Sequence, residues 1–326
     1  EYYDLPFEIY GSSGTTKGSL FTSLPGHYRR IMTAVRRFDP DLMFGMGGYA
    51  AHAGFVTRTP VVLILDSEPT TLDHLVSRPF ARAILTPQAF RKDLGSSHYE
   101  FAGFKETAYI HPDVFEPDPN IRTSLGVGPD ESYVILRFNA FGSHHDLGQG
   151  GFTPTERQEF VDRVSTEATV FISDEGDTFD FEDSPARPFD LHPALLHDAL
   201  AGADLLVADS QTTVTEAALL GTPTIRSNSW VGEDDMGNFQ ELAARDLVKN
   251  IADFETVLET SMRLLGDPDA KSRWQARRAS YMAEQVNLTD VIVDVAENLG
   301  AVQQCEGVRP WTRSGDRIEP GHPSAT

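Results

Sequence analysis

The sequence predicts an α/β protein built as two Rossmann-like domains facing each other across a cleft. Three observations carry this expectation. Short apolar, strand-like runs alternate with amphipathic helical stretches, the pattern of parallel sheets crossed by helices. The alternation is interrupted at HPDVFEPDPN (111–120), where three prolines in ten residues read as a rigid linker. A length of 326 residues with 40% hydrophobic content suffices for two cores. No apolar run approaches the ~18 residues that would mark a membrane span.

In the first part, strands are expected at residues 6–10, 41–44, 61–65, 83–85 and 99–101. A helix over 28–38 carries Arg29, Arg30, Arg36 and Arg37 on its wet side. In the second part, strands are expected at 133–138, 169–172, 205–208 and 224–226, and helices at 154–163, 193–200, 213–220 and 253–265. A helical stretch from 270 to 299, broken near Asn287, closes the fold. The expected division is 1–115 for a first domain, 116–285 for a second, and 286–302 for a C-terminal helix packing back on the first. Residues 303–326, rich in Gly, Pro, Arg and Ser, read as a disordered tail. The first domain opens abruptly on LPFEIYG, whereas a Rossmann half opens with a strand, a Gly-rich turn and a helix; roughly the first 40–50 residues of the natural protein are therefore expected to be missing.

Net charge is −22, from 49 acidic and 27 basic residues, of which only five are Lys. The acids are spread along the chain rather than gathered in a block. Such a surface stays hydrated in high salt, where its self-repulsion is screened, and it reads as a halophile's cytoplasmic protein. Nonspecific nucleic-acid binding is excluded on the same ground. The single cysteine, Cys305, excludes an intrachain disulfide and a thiolate zinc cluster. The chain opens on EYYDLPF, without the basic and apolar leader of a signal peptide.

The segment DLLVADSQTTVTEAALLGTPTIRSNSW (204–230) concentrates the functional signal. It reads as a strand, a polar turn, a short helix and a second strand opening at Gly221-Thr222-Pro223. A helix start just past a strand's carboxyl end collects unpaired N–H groups and the positive end of the helix dipole, a place where phosphates bind. Ser210, Gln211, Thr212 and Thr213 supply that turn, and Glu216 could reach ribose hydroxyls. Thr213 to Glu216 also fits a capping box, in which Glu216 folds back on the Thr213 backbone. Arg226 and Arg137 are candidates to neutralise phosphate. His144, His145 and Asp146 follow Arg137 on one loop; a histidine there could act as acid, base or donor. A metal is not expected, because adjacent residues on an extended loop point apart. Gly47, Gly48 and Tyr49 belong to a second Gly-rich strand-to-helix turn, where backbone amides could approach a diphosphate or close packing could demand glycine. Asp66 and Glu68 end a first-domain strand and could supply a base. Asp174 and Glu175 read as a capped turn. No Gly-x-Ser-x-Gly elbow, Walker turn or HExxH helix is present.

DSQTTVTEAAL followed by LGTPTIRSNSW resembles the nucleotide-binding segment of GT-B-fold enzymes, the group of UDP-N-acetylglucosamine 2-epimerases and the glycosyltransferase that makes lipid II. The matching positions are Ser210, Glu216, Ala217, Gly221 and Pro223. GMGGYAAHAG, with TPVVLILDSEP after it, looks like the acceptor-side Gly-rich loop of the lipid II enzyme. ILTPQAFRKDLG, KETAYIHPDVFEPDP, VILRFNAFGSHHDLGQGGF and VFISDEG look like an archaeal and bacterial family within this group that has no assigned reaction. Two departures stand out. Gln211-Thr212 replaces the Gly-Gly of the phosphate turn, and the epimerase's full carboxylate and histidine set is not found at matching positions.

The resemblance implies a GT-B arrangement and a metal-independent glycosyltransferase that uses a nucleotide sugar, UDP-linked, as substrate and needs no further cofactor. The donor would lie on Ser210 to Thr213, Glu216, and Arg226 or Arg137. A glycan or lipid-linked acceptor would lie near Gly47, Gly48 and Tyr49, with Glu68, His144 or His145 as base, and a lipid-linked acceptor implies peripheral membrane association. The alternatives are a UDP-sugar 2-epimerase and a non-catalytic sugar-nucleotide or glycan-binding protein.

Overall fold

The computed structural model describes residues 5–9, 11, 17–138, 151–228, 231–232 and 235–312. The N-terminal half contains α1 (Lys17–Phe38), β1 (Met43–Gly45), α2 (Gly48–Thr57), β2 (Val61–Ile64), α3 (Thr71–Ser77), β3 (Ala83–Pro87) and β4 (His98–Phe101). Two single-turn helices, α4 (Thr107–Ile110) and α5 (Ile121–Ser124), cross to the second half. That half runs β5 (Tyr133–Phe138), α6 (Pro154–Val164), β6 (Thr169–Asp174), β7 (Arg187–Pro188), α7 (Leu196–Gly202), β8 (Leu205–Ala208), α8 (Thr212–Leu220), β9 (Thr224–Arg226), α9 (Gly237–Ala244), β10 (Lys249–Asn250), α10 (Phe254–Leu265) and α11 (Ala270–Met282). α12 (Leu288–Glu297) and β11 (Val308–Pro310) end the described chain.

The strands form two sheets, ordered β1-β2-β3-β4-β11 and β10-β9-β8-β5-β6-β7. Every pairing is parallel except β11 with β4. The register aligns carboxyl ends: Arg137 of β5 lies opposite Ser173 of β6 and Ala208 of β8, and Ala208 lies opposite Arg226 of β9. All turns that leave these strands therefore emerge on one rim.

The strand cores are apolar on both faces, as strands covered by helices on each side must be. Val61, Val62 and Leu63 of β2 and Val134, Ile135 and Leu136 of β5 are at most 1% exposed. The helical run after Ala270 breaks at Asn287, whose side chain caps α12 by accepting from the Thr289 N–H. Leu288, Val291 and Val295 of α12 then pack on Val62, Leu85 and Phe101 of the first sheet. Burial of such side chains contributes roughly 1.5–3 kcal/mol each, so α12 is a core element of the first half.

Two expectations are corrected. Residues 6–10 read as a strand, but the described residues 6–9 are in no strand; Leu5, Phe7 and Ile9 keep the alternation and are exposed. A strand exists by pairing, and among the described residues no ladder reaches this segment. The disordered tail expected from 303 is ordered through 312. β11 closes the edge of the first sheet, Trp311 stacks on His98 at 5.1 Å, and Arg309 pairs with the buried Glu100 at 2.8 Å. The proline-rich segment 111–120 is held against the second half: the Asp118 N–H donates to Asp198 at 2.8 Å, and Phe115 packs on the second core. Among the described residues no helix is long and apolar enough to cross a membrane.

Candidate functional site

A cavity of about 340 Å³ lies between the two sheets, at the carboxyl ends of their strands. From the first half it is lined by Asp66 after β2, by Thr70, Asp73 and His74 at α3, and by Lys105 and Glu106 after β4. From the second half come Gln211, Thr212 and Thr215 of the α8 start, and Asn238 and Phe239 of α9. Parallel topology explains the gathering, because the turns that follow successive strands collect on one rim.

The start of α8 carries no side-chain cap; Gln211 is the N-cap residue, and the helical positions begin at Thr212. Glu216 is therefore the fifth helical residue, two beyond the third position a capping box requires, and it does not fold back on Thr213. Its Oε1 instead accepts from the Tyr109 hydroxyl at 2.9 Å and from His197 Nε2 at 3.1 Å, and the residue is 6% exposed. Burial raises the Tyr109 hydroxyl pKa, with Glu216 adding to the shift, so Tyr109 is a donor. Ser210 and Thr213 are buried behind the turn. The Ser210 hydroxyl has no hydrogen-bond partner among the described residues.

Arg226 is corrected. Its side chain is fully buried, pairs doubly with Asp235 (Nη2 to Oδ1 3.2 Å), and lies 3.8 Å over the Phe239 ring. A guanidinium held this way fastens β9 to the start of α9 and does not line the cavity. Arg137 stands at the end of β5 with its guanidinium shared between Ser173 and Glu175. Asp174 accepts from the Gly176, Thr178 and Phe179 N–H groups, a capped turn. His144, His145 and Asp146 lie outside the described residues.

In the first half, Glu68 joins the two halves. Its Oε1 accepts from the Gly237 N–H at 3.2 Å and the Arg91 N–H at 3.4 Å, and it does not line the cavity. Burial raises its pKa. The approach requires Gly237, since a Cβ there would sit 1.9 Å from the Ala89 carbonyl oxygen. At the Gly-rich turn, the Gly48 N–H donates to Asp73 Oδ1 at 3.1 Å, and a Cβ on Gly47 would lie 2.8 Å from Asp73 Oδ2. The Gly48 amide, one of those expected to meet a diphosphate, holds an internal carboxylate instead. Tyr49 lies in an aromatic group, its ring tilted against Tyr28 at 4.9 Å and against His27.

Residues that sequence reasoning passed over complete the site. Lys105 Nζ is 2.7 Å from Asp66 Oδ2 and 3.8 Å from Glu106 Oε1. Burial alone would lower the Lys105 pKa, but the Asp66, Glu106 and Glu216 carboxylates outweigh it and the net shift is upward. Glu106 is 2% exposed, and burial raises its pKa to about 8 against the pull of Lys105. His74 is pushed toward the neutral form by burial, with Nε2 3.0 Å from Thr70 Oγ1. A signal for Lys105-Glu106 existed: the pair follows a strand's carboxyl end in the same way as Asp66. Asp73, Asn238, Tyr109 and His197 carried none. Among the described residues no group of three or more His, Cys, Asp or Glu side chains could hold a metal ion.

The chain is similar to solved structures that share this arrangement. The glycotransferase of kitacinnamycin matches with a TM-score of 0.58 at 12% identity, over 90% of this chain and 86% of that one. UDP-GlcNAc 2-epimerase from Neisseria meningitidis, bound to UDP-GlcNAc, matches at 0.58 and 12%, over 85% and 82%. MurG of Acinetobacter baumannii matches at 0.53 and 15%, over 91% and 86%. No protein-family model and no curated protein sequence matches the chain. At these identities the likeness defines the fold: two Rossmann-like domains in the GT-B arrangement.

Proposed function

We propose that the chain binds a sugar nucleotide in this cleft and transfers the sugar to an acceptor, as a glycosyltransferase whose hold on the diphosphate needs no metal ion. One observation carries the reading: the uncapped start of α8 opens on the cavity, with Glu216 held a turn further along the same helix. Free N–H groups and the helix dipole at Thr212 and Thr213 suit a diphosphate, and developing charge on a leaving diphosphate is stabilised there without reorganisation. Glu216, positioned by Tyr109 and His197, suits ribose hydroxyls. The first half, with Asp66 and Asp73 at the cavity, takes the acceptor side, where a glycan or a lipid-linked sugar would enter; the latter would bring the protein to a membrane surface. Asp66 and Asp73 replace Glu68 as candidate bases, because Glu68 is engaged with Gly237.

A second reading, a UDP-sugar 2-epimerase, is favoured by one feature. Three carboxyl groups, Asp66, Asp73 and Glu106, line the cavity and could move protons on the sugar itself. Thermal stabilisation by UDP, GDP and TDP and their sugars tests the site. A shift that needs the diphosphate and disappears in Glu216→Ala supports it; no shift with any nucleotide on folded protein overturns both readings. Turnover of the nucleotide sugar without acceptor selects the epimerase, and binding without turnover leaves a binding protein.

A further inference from the structure

Two residues that line the cavity each carry a buried side-chain oxygen that no group among the described residues satisfies. Glu106 Oε2 comes from the first half and Asn238 Oδ1 from the second. Both residues are at most 5% exposed, and a buried polar atom without a partner is costly unless something else supplies the hydrogen bond. Each residue lines the same 340 Å³ space, so a ligand that occupies it can satisfy both at once, one from each domain. A carboxamide oxygen accepts and cannot donate, so Asn238 Oδ1 requires a donor such as a hydroxyl or an amide N–H. Glu106, held neutral by burial, can donate to a hydroxyl or accept from one.

The charge in the cavity narrows the ligand further. Lys105 is the sole ammonium among the described lining residues, and Asp66 holds it at 2.7 Å; Asp73 and Glu106 are further carboxyl groups, and His74 is pushed toward neutrality. An added carboxylate or phosphate would face Asp66 and Asp73 with no free cation, in surroundings that screen charge poorly. Hydroxyls face no such penalty. Diphosphate is better served at the α8 start, where the amides are.

Resting on the sugar-nucleotide reading above, we infer that this cavity is the pocket for the sugar ring of the donor, that it selects an uncharged, hydroxyl-bearing sugar over a carboxylate-bearing one, and that Glu106 is the first domain's specificity-determining residue for that ring. The sugar then bridges Glu106 and Asn238 across the cleft, while the nucleotide is held by the second domain alone.

The test separates the nucleotide from the sugar. Calorimetric titration is run with UDP, with UDP-glucose, UDP-galactose and UDP-GlcNAc, and with UDP-glucuronate, on wild type, Glu106→Leu and Glu106→Gln. Matched far-UV spectra and melting midpoints establish that each variant is folded. The expected result is equal UDP affinity in all three proteins. In wild type at least one neutral UDP-sugar binds about tenfold tighter than UDP, the size of one or two hydrogen bonds. That increment disappears in Glu106→Leu and survives in Glu106→Gln, whose amide still donates and accepts. UDP-glucuronate binds no tighter than UDP.

The inference is overturned if no neutral sugar improves on UDP, if UDP-glucuronate is the tightest ligand, if the increment survives in Glu106→Leu, or if Glu106→Leu weakens UDP itself. Failure of the underlying reading looks different: folded wild type then binds none of these ligands and none of GDP, TDP and their sugars, and both conclusions fall together.

Discussion

The two sheets meet at one cavity but contribute to it in different ways. The second offers a backbone feature, the open start of α8, while Arg226, at the end of β9, is locked away as the Arg226–Asp235 pair. The first offers titratable side chains, Asp66, Asp73, Lys105 and Glu106, and has closed its own Gly-rich turn with Asp73. The difference teaches where each half's chemistry resides. A helix start binds anions at any ordinary pH because its charge is a fixed dipole, whereas a site of carboxyls and an ammonium depends on which protons are held.

The comparison breaks first, and most heavily, at Arg226. Asp235→Ala leaves a guanidinium fully buried without its carboxylate and should cost about 3–5 kcal/mol in denaturant unfolding. Replacing both partners, as Arg226→Met with Asp235→Leu, should recover most of that loss. A single-variant cost below about 1 kcal/mol would show that the second half does not depend on the pair.

The next effect is acid sensitivity of the first half between pH 6.5 and 4. His98 is buried; its Nδ1 accepts from the Leu94 N–H, leaving Nε2 to donate to Thr86, and burial lowers its pKa to about 4. The stabilisation from holding it neutral is complete above the unfolded value of 6.5 and is lost as pH falls toward 4, at most about 3 kcal/mol. Glu106 behaves in the opposite sense. It titrates near 8 instead of 4.5, so its contribution is full below 4.5 and is lost as pH rises to 8. Peptide-resolved hydrogen exchange should show β3, β4 and β11 loosening first as pH drops from 6.5 to 4. Uniform loosening of both sheets would remove the distinction.

The smallest effect serves as the control. Arg273–Asp267 is an exposed pair on the second half, and Arg273→Ala should shift stability by no more than about 0.5 kcal/mol, less in high salt.

Much of the architecture was legible because periodicity reports burial. Strands β5, β8 and β9 have the bounds expected from their apolar runs, and the helix break at Asn287 follows from a residue that caps well. The two-residue strands β7 and β10 escaped because two residues carry no period. α9 escaped because its start, Gly237, follows the acidic run GEDDM (232–236), which carries no apolar period. At the site, Ser210 to Glu216 stood out because a strand, a turn and a helix start are contiguous in sequence. The first half's residues stand at 66, 73, 105 and 106, separated by whole elements, and nothing in their spacing announces that they meet.

The sequence by itself determined the class of fold, the position of both sheets and the segment with the open helix start, since each depends on local pattern and on the rule that loops gather at the carboxyl ends of parallel strands. Only the tertiary structure decided what the charged residues do. Arg226 is in the core and Glu68 bridges the halves, while Lys105 and Glu106 face the cavity. A side chain's ionisation and its use are set by what lies within a few ångströms of it, and those neighbours are brought together by folding from positions more than a hundred residues apart, as Tyr109 and Glu216 are.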